Sequence, residues 1–254
     1  MTKMQFDLLE LLDNFGYDIF TIDMIRQHNS FTEKELAQVL FSLTQSGILV
    51  KIERGKYIRS NFSDEFVIGN FLAPDGGIAY WSALNSHGLT EQFPNVIFVQ
   101  TAKRRGELTF RNLRYRFVKV DARKLAGYKE LGYGNHRYKM SDIEKTIADC
   151  FDLPQHAGWY HETIKAFNNA KINPNKLIRY CKILDNASAT KRLGFLCELL
   201  QKPNMDSFVS YALSLTKESY SLFEIAGEKT GEYNKKWKLI INLPANEILE
   251  IANS

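Results

Sequence analysis

Residues 31–59 read FTEKELAQVLFSLTQSGILVKIERGKYIR, and this stretch decides the fold expected for the amino-terminal part. Thr32 can cap a helix, and Glu35 three residues later can reach back to the Thr32 amide, a capping box that satisfies two orphan backbone donors. Leu36, Val39, Leu40 and Leu43 recur at helical spacing and predict one apolar face. Lys34, Gln38, Ser42 and Gln45 predict a polar face opposite. Gly47 can end the helix in the left-handed conformation. Two strand-like runs follow, 48–52 and 56–59, around Glu53-Arg54-Gly55, where glycine can supply the positive φ of a tight turn.

Upstream, residues 4–15 space Phe6, Leu8, Leu9, Leu11 and Leu12 as the inward face of a first helix. Gly16-Tyr17 turns the chain, Thr21 can cap a short helix over 22–28, and Asn29-Ser30 turns into the Thr32 helix. Three helices and a hairpin within sixty residues follow the order of a winged helix-turn-helix, whose third helix enters the major groove. On that reading Thr32, Glu33, Lys34 and Gln38 face base edges, while Arg54 and Lys56 on the wing, with Arg59 beyond it, grip phosphate. The same module can instead contact only protein. The first sixty residues carry seven basic against eight acidic side chains, so charge alone does not choose.

Residues 61–71 read as a helix leading out of the wing, and Pro74-Asp75-Gly76-Gly77 as the boundary that follows it. The divisions expected are 1–60, a linker helix over 61–74, and 75–254 as a second domain. Within the latter, 96–101, 105–110 and 113–120 read as strands, and 128–133 with 136–140 as a hairpin turned by Gly134-Asn135. Ser141 with Glu144 reads as a second capping box opening a helix that Pro154 closes. From His161 on the spacing is mainly helical (160–216), and a terminal strand over 237–242 is expected to join the strands of the middle region. The fold class expected is therefore α+β, an amino-terminal winged helix-turn-helix followed by a mixed α/β domain with a helical carboxy-terminal part.

Composition narrows the function. The formal net charge is +4 over 254 residues, which does not by itself imply nucleic acid. Its distribution is uneven: residues 101–139 hold twelve Lys or Arg against three acids. Lys103, Arg104, Arg105, Arg111, Arg114 and Arg116 are candidates for a second basic surface, either contacting DNA, RNA or an acidic partner or standing as a solvated outer face. No run of about 18 apolar residues is present, so no membrane span is expected. The acidic, amphipathic amino terminus is unlike a signal peptide, and a cytoplasmic location is expected. Cys150, Cys181 and Cys197 lie singly in helical patterns and read as buried thiols.

Catalytic patterns are few. The five histidines lack metal-ligand spacing, Ser82 and Ser86 lack nucleophile-elbow glycines, and no phosphate-cradling glycine loop is present. Asp142, Glu144 and Lys145 mimic the carboxylate–lysine set of metal-dependent nucleases, but they open a helix rather than end a strand. No enzyme, metal or cofactor is expected, with a nuclease kept as the remote alternative.

The middle of the chain resembles the AbiEi family, the antitoxin half of type IV toxin–antitoxin operons active in phage defence. The resemblance is carried by Gly77, Tyr80, Ser82-Ala83-Leu84, His87-Gly88-Leu89-Thr90, Gln92 and Pro94. It continues with Ser141, Glu144-Lys145-Thr146, Asp149, Pro154 and Arg192-Leu193-Gly194, and upstream with Arg54-Gly55-Lys56-Tyr57. It extends to about residue 200 and implies a repressor that binds double-stranded DNA upstream of its own operon. It also implies an antitoxin role for the second domain against a nucleotidyltransferase toxin. The alternative reading is a stand-alone winged-helix regulator with a ligand- or partner-sensing second domain.

Overall fold

The computed structural model describes residues 1–28, 31–93 and 95–254, which form two compact units. The turn expected at Asn29-Ser30, and Pro94, lie outside the described residues. The first unit comprises Met1–Phe71 and Leu131–Tyr138, and the second Leu72–Glu130 and Lys139–Ser254. The described residues form eleven α-helices and three separate sheets, a mixed α+β architecture. No helix among them is long and apolar enough to cross a membrane.

The first unit holds α1 (Lys3–Asn14), β1 (Ile19–Thr21), α2 (Ile22–Arg26), α3 (Glu33–Gln45), β2 (Leu49–Glu53), β3 (Lys56–Arg59) and most of α4 (Glu65–Leu72). Thr2, Thr21 and Thr32 each cap the helix that follows by accepting the amide three residues on. The strands form an antiparallel sheet in the order β1-β3-β2. Leu8, Leu12, Phe20, Ile25, Leu36, Val39, Leu40, Leu43 and Leu49 fill the core between helices and sheet. Phe6, expected inside, is 55% exposed, because the buried line of α1 runs through Leu8 and Leu12. The helix expected from Asn61 starts only at Glu65, where the Asp64 carboxylate accepts the amides of Phe66 and Val67 at 3.0 Å. The separate segment contributes Asn135, whose amide donates to the Phe15 carbonyl at 2.5 Å, and His136, whose Nε2 lies 3.0 Å from the Asp18 carboxylate. The Tyr138 ring lies 5.6 Å from that of Phe66.

The second unit is built on a six-stranded sheet. Its strands are β4 (Gly77–Ile78), β5 (Val96–Thr101), β6 (Leu108–Phe110), β7 (Leu113–Lys119), β8 (Tyr128–Leu131) and β9 (Tyr138–Ser141), in the order β6-β7-β5-β4-β9-β8. β5 and β7 run parallel, as do β4 and β9, and β4 is antiparallel to β5. A Cβ on Gly76 would lie 1.6 Å from the Gln100 carbonyl oxygen, so only glycine lets the chain enter β4 there.

Helices α5 (Tyr80–Ser86), α6 (Ile143–Asp152), α7 (Trp159–Asn169), α8 (Pro174–Leu184), α9 (Ala187–Leu199) and α10 (Asp206–Ser214) follow the chain. Leu84, Phe151, Ile164, Phe167, Leu177, Leu193 and Phe208 form their shared core. The capping box expected at Ser141 is not formed. Ser141 ends β9, and Asp142 caps α6 by accepting the Lys145 amide at 2.9 Å. Glu144 instead accepts the Asn173 amide at 2.9 Å. All three cysteines are free and buried.

The tail departs furthest from expectation. β12 (Leu239–Ile241) does not join the large sheet but pairs with β10 (Ser221–Leu222) and β11 (Glu232–Asn234) in a sheet of its own, and α11 (Ala245–Asn253) ends the chain. Trp237 anchors this sheet: it is 1% exposed and its indole N–H donates to Glu198 of α9 at 2.8 Å. Its ring packs against the helical backbone at Gly194, where a Cβ would fall 2.3 Å from the indole carbon Cη2. Gly194→Ala should therefore destabilise by about 1–3 kcal/mol through overpacking, outweighing the roughly 1 kcal/mol of helix propensity that alanine brings. Thermal unfolding of the variant measures this. A stabilised variant would mean that the indole can move aside.

Candidate nucleic-acid interface

The outward side of α3 follows from its capping and its phase. The Thr32 hydroxyl accepts the Glu35 amide and donates to the Glu35 carboxylate at 2.7 Å, and the Thr32 amide donates to it at 2.8 Å. The hydroxyl bond, then the amide bond, hold the Glu35 carboxyl below its ordinary value. Thr32 is thus engaged in the cap, and Glu33 pairs with Arg26 at 2.9 Å. Lys34 and Gln38 remain exposed, as do Ala37 and Gln45. Between them stands Phe41, 66% exposed. At about 100° per residue it falls in phase with Lys34, Gln38 and Gln45 rather than with Leu36 and Leu40. That phase was readable from the sequence, but an aromatic residue next to a leucine stripe invites assignment to the core.

The β2–β3 hairpin sorts its cations. A register shift between Lys51 and Glu53 bends β2, and Gly55 turns the tip at φ +75°. Arg54 at the tip is exposed, and so is Lys51. Lys56 is not a free phosphate ligand: its ammonium lies 3.1 Å from the Glu53 carboxylate and donates to the Phe71 carbonyl at 3.3 Å. Arg59 is likewise held, 2.6 Å from Asp13 and 3.4 Å from Asp18, with its side chain 19% exposed. Both serve the integrity of the unit. The expected set therefore divides into an outward group (Lys34, Gln38, Arg54) and a structural group (Thr32, Glu33, Lys56, Arg59).

The six cations of the proposed second surface, all in the second unit, do not form one face. Successive strand residues point to opposite sides, and the β5–β7 register pairs Arg114 with Val96 and Arg116 with Phe98. Arg116 pairs with Glu107 and lies 5.6 Å from the Phe98 ring centroid, on the side of β7 that also carries Val118. Arg105 instead stands 4.9 Å from the ring of Phe117, which belongs to the other side. Arg111 stacks 5.1 Å from Phe110 at the β6–β7 turn. Lys103, Arg104 and Arg114 are exposed.

The motif residues of the second unit make internal contacts. Ser82 accepts the Phe98 amide at 2.9 Å, His87 Nε2 donates to the Ser141 carbonyl at 2.7 Å, and Thr90 donates to Glu162 at 2.6 Å. Lys145 and Asp149, 0% and 1% exposed, form an ion pair within α6. Gln100 completes the network by donating to Asp149 at 2.9 Å and to the Tyr80 hydroxyl at 2.8 Å, and by accepting from Tyr128 at 2.6 Å. Burial pushes the Tyr80 and Tyr128 hydroxyls far above their ordinary range and raises the Asp149 carboxyl despite the neighbouring ammonium. The nuclease-like triplet does not converge. Asp142 and Glu144 share Lys176, at 3.2 and 3.6 Å, while Lys145 turns to Asp149. No group of three or more His, Cys, Asp or Glu among the described residues is placed to hold a metal ion.

The fold has a solved counterpart. The chain is similar to the RV2827C protein from Mycobacterium tuberculosis, known by its crystal structure. The superposition has a TM-score of 0.64 at 15% sequence identity and spans 100% of this chain and 96% of that one. At that identity the likeness concerns the fold alone. No family model matches the chain, and no curated protein does.

Proposed function

We propose that the first unit is a winged helix-turn-helix that binds double-stranded DNA upstream of its own operon and represses it. The observation that carries this reading is the outward stripe Lys34, Gln38, Phe41 and Gln45 on a helix whose start is locked by Thr32 and Glu35, with Arg54 at the tip of the adjoining hairpin. α3 is 13 residues long and presents two side chains able to form base-edge hydrogen bonds, Lys34 and Gln38, near its amino-terminal end. Arg54 and Lys51 supply phosphate contacts, in place of Lys56 and Arg59.

The second part of the proposal is that the chain serves as the antitoxin of a type IV system, through its second unit, against a nucleotidyltransferase toxin encoded beside it. The resemblance to AbiEi proteins, which covers most of the chain to about residue 200, supports it. The motif residues act by holding helices α5 and α6 onto the sheet, and the antitoxin surface is presented by what that scaffold carries. Fluorescence anisotropy of the protein with its own upstream duplex and with a scrambled duplex, over a salt series, tests the repressor half. Tight binding to the upstream duplex alone is expected, and equal binding to both would overturn sequence-specific repression. Co-expression with the neighbouring gene tests the antitoxin half, and toxicity unchanged by this protein would leave the stand-alone regulator.

A further inference from the structure

Helix α3 turns an aromatic ring away from its own core. Phe41 is 66% exposed, and among the described residues no ring or cation stacks on it. Phe15, Tyr133 and Tyr233 are exposed too, but each rests on another ring: His28 at 3.9 Å, His136 at 5.6 Å and Tyr220 at 5.0 Å between centroids. A lone exposed aromatic residue is common on protein surfaces and carries no meaning by itself. Its direction does. The apolar stripe of α3, Leu36, Val39, Leu40 and Leu43, is buried. At about 100° per residue Phe41 stands roughly 150° from the middle of that stripe, with Lys34, Gln38 and Gln45 within about 60° of it. Ser42, the next residue, faces α1, where Gln5 Nε2 donates to its hydroxyl at 2.6 Å. Phe41 is therefore rotated about 100° away from α1.

The ring stands among the side chains proposed above to meet DNA. Lys34 and Gln38 precede it on the helix, and the exposed Lys51 and Arg54 add positive charge from the adjoining hairpin. That charge complements the phosphates that wall the major groove. A helical side chain leans over the turn N-terminal to its own Cα, which for Phe41 is the turn of Ala37 and Gln38. Ala37 is exposed and small, so that turn stays open to a neighbouring molecule. Along the helix axis Phe41 follows Gln38 by about 4.5 Å, nearer to one base-pair step of about 3.4 Å than to two.

We infer that Phe41 reads the C5 methyl group of a thymine, in the base pair next to the one that Gln38 contacts. The inference rests on the DNA-binding reading of the first unit and adds a base identity to it. Of the four bases, only thymine shows an apolar group in the major groove. Against the N7 and O6 acceptors or the amino groups of the other bases, a phenyl ring strips water without returning a hydrogen bond. Gln38 pairs best with adenine, whose N6 and N7 it meets together. The middle of α3 thus calls for two adjacent A·T pairs in the upstream duplex.

The test uses the full chain, its Phe41→Ala variant, and the upstream duplex with deoxyuridine in place of one thymidine at a time. Each such replacement deletes a single methyl group and leaves the hydrogen-bonding edges intact. Anisotropy titrations are expected to find one position per bound copy where the replacement weakens the unaltered chain about four- to tenfold. Phe41→Ala should lose about the same factor on the thymine duplex and be indifferent to uracil at that position, the signature of a direct pair in a double-mutant cycle. Because the ring lies outside the core, the variant should keep the Tm of the unaltered chain. If the unaltered chain prefers the upstream duplex over a scrambled one, yet no uracil position weakens it, the methyl contact is overturned and the repressor stands. A uracil penalty that persists undiminished in Phe41→Ala gives the methyl to another residue and overturns the inference as well. A lower mass of Phe41→Ala in analytical ultracentrifugation, with no uracil penalty, assigns the ring to a protein interface instead. No preference of the unaltered chain for the upstream duplex overturns the reading of the first unit, and the inference with it.

Discussion

Lys145→Met is expected to lower the free energy of unfolding by about 3–5 kcal/mol, because it leaves the Asp149 carboxylate buried without its partner. Asp149 is 1% exposed, and its remaining donor would be Gln100. The double variant Lys145→Met/Asp149→Leu should recover most of that loss, since removing both charges spares the fold a desolvated ion. Chemical denaturation of the three proteins measures the coupling, and equal losses in single and double variants would show that packing, not charge, is at stake. The pH dependence has a definite sign. Burial already raises the Asp149 carboxyl above its ordinary value, so the folded state holds that proton more tightly than the unfolded chain. Its ionisation therefore removes stability as pH rises from the ordinary carboxylate value through the raised one. Without Lys145 the raised value climbs further, so the deficit of Lys145→Met should shrink as the solution is acidified toward the ordinary carboxylate range.

The second large effect concerns the proposed DNA interface. The triple variant Lys34→Ala/Gln38→Ala/Arg54→Ala should lose about a hundredfold or more in affinity for the upstream duplex, as base-edge contacts carry about 1–3 kcal/mol each. Arg54→Ala alone should weaken binding to all duplexes alike and reduce the salt slope by about one. Arg59→Ala should behave differently: it breaks pairs to Asp13 and Asp18, so it should lower the Tm of the protein while leaving the salt slope unchanged. A slope unaltered by Arg54→Ala would remove the hairpin tip from the interface.

What was legible depended on sequence distance. The α3 helix and its hairpin were readable because cap, stripe and turn lie within thirty residues and are all local signals. β1 was missed because three residues carry no period, and its partner β3 lies nearly forty residues on. The roles of Lys56 and Arg59 escaped for the same reason: Arg59 meets Asp13, and Lys56 meets the Phe71 carbonyl, at separations no local pattern encodes. The cap of α6 failed differently. Ser141 and Asp142 both have capping side chains, and only the end of β9 decides between them. The Lys145–Asp149 pair has the spacing of an ordinary exposed helix pair. Nothing in the letters reveals that α6 is buried almost all round. β12 was assigned to the wrong sheet because β10, its parallel partner, is two residues long and invisible to any periodicity.

The composition of the first unit has a consequence for how the chain is born. Residues 131–138 belong to it together with 1–71, and they bring Asn135 to Phe15, and His136 to Asp18 and Phe62. A ribosome adds about 5–20 residues per second, so these closing pieces emerge several seconds after Phe71. Until then the amino-terminal segment waits unfinished, with Asp18 and the Phe62 ring lacking their late neighbour. Nascent chains stalled short of residue 131 should be digested by protease more readily than those stalled well past 138.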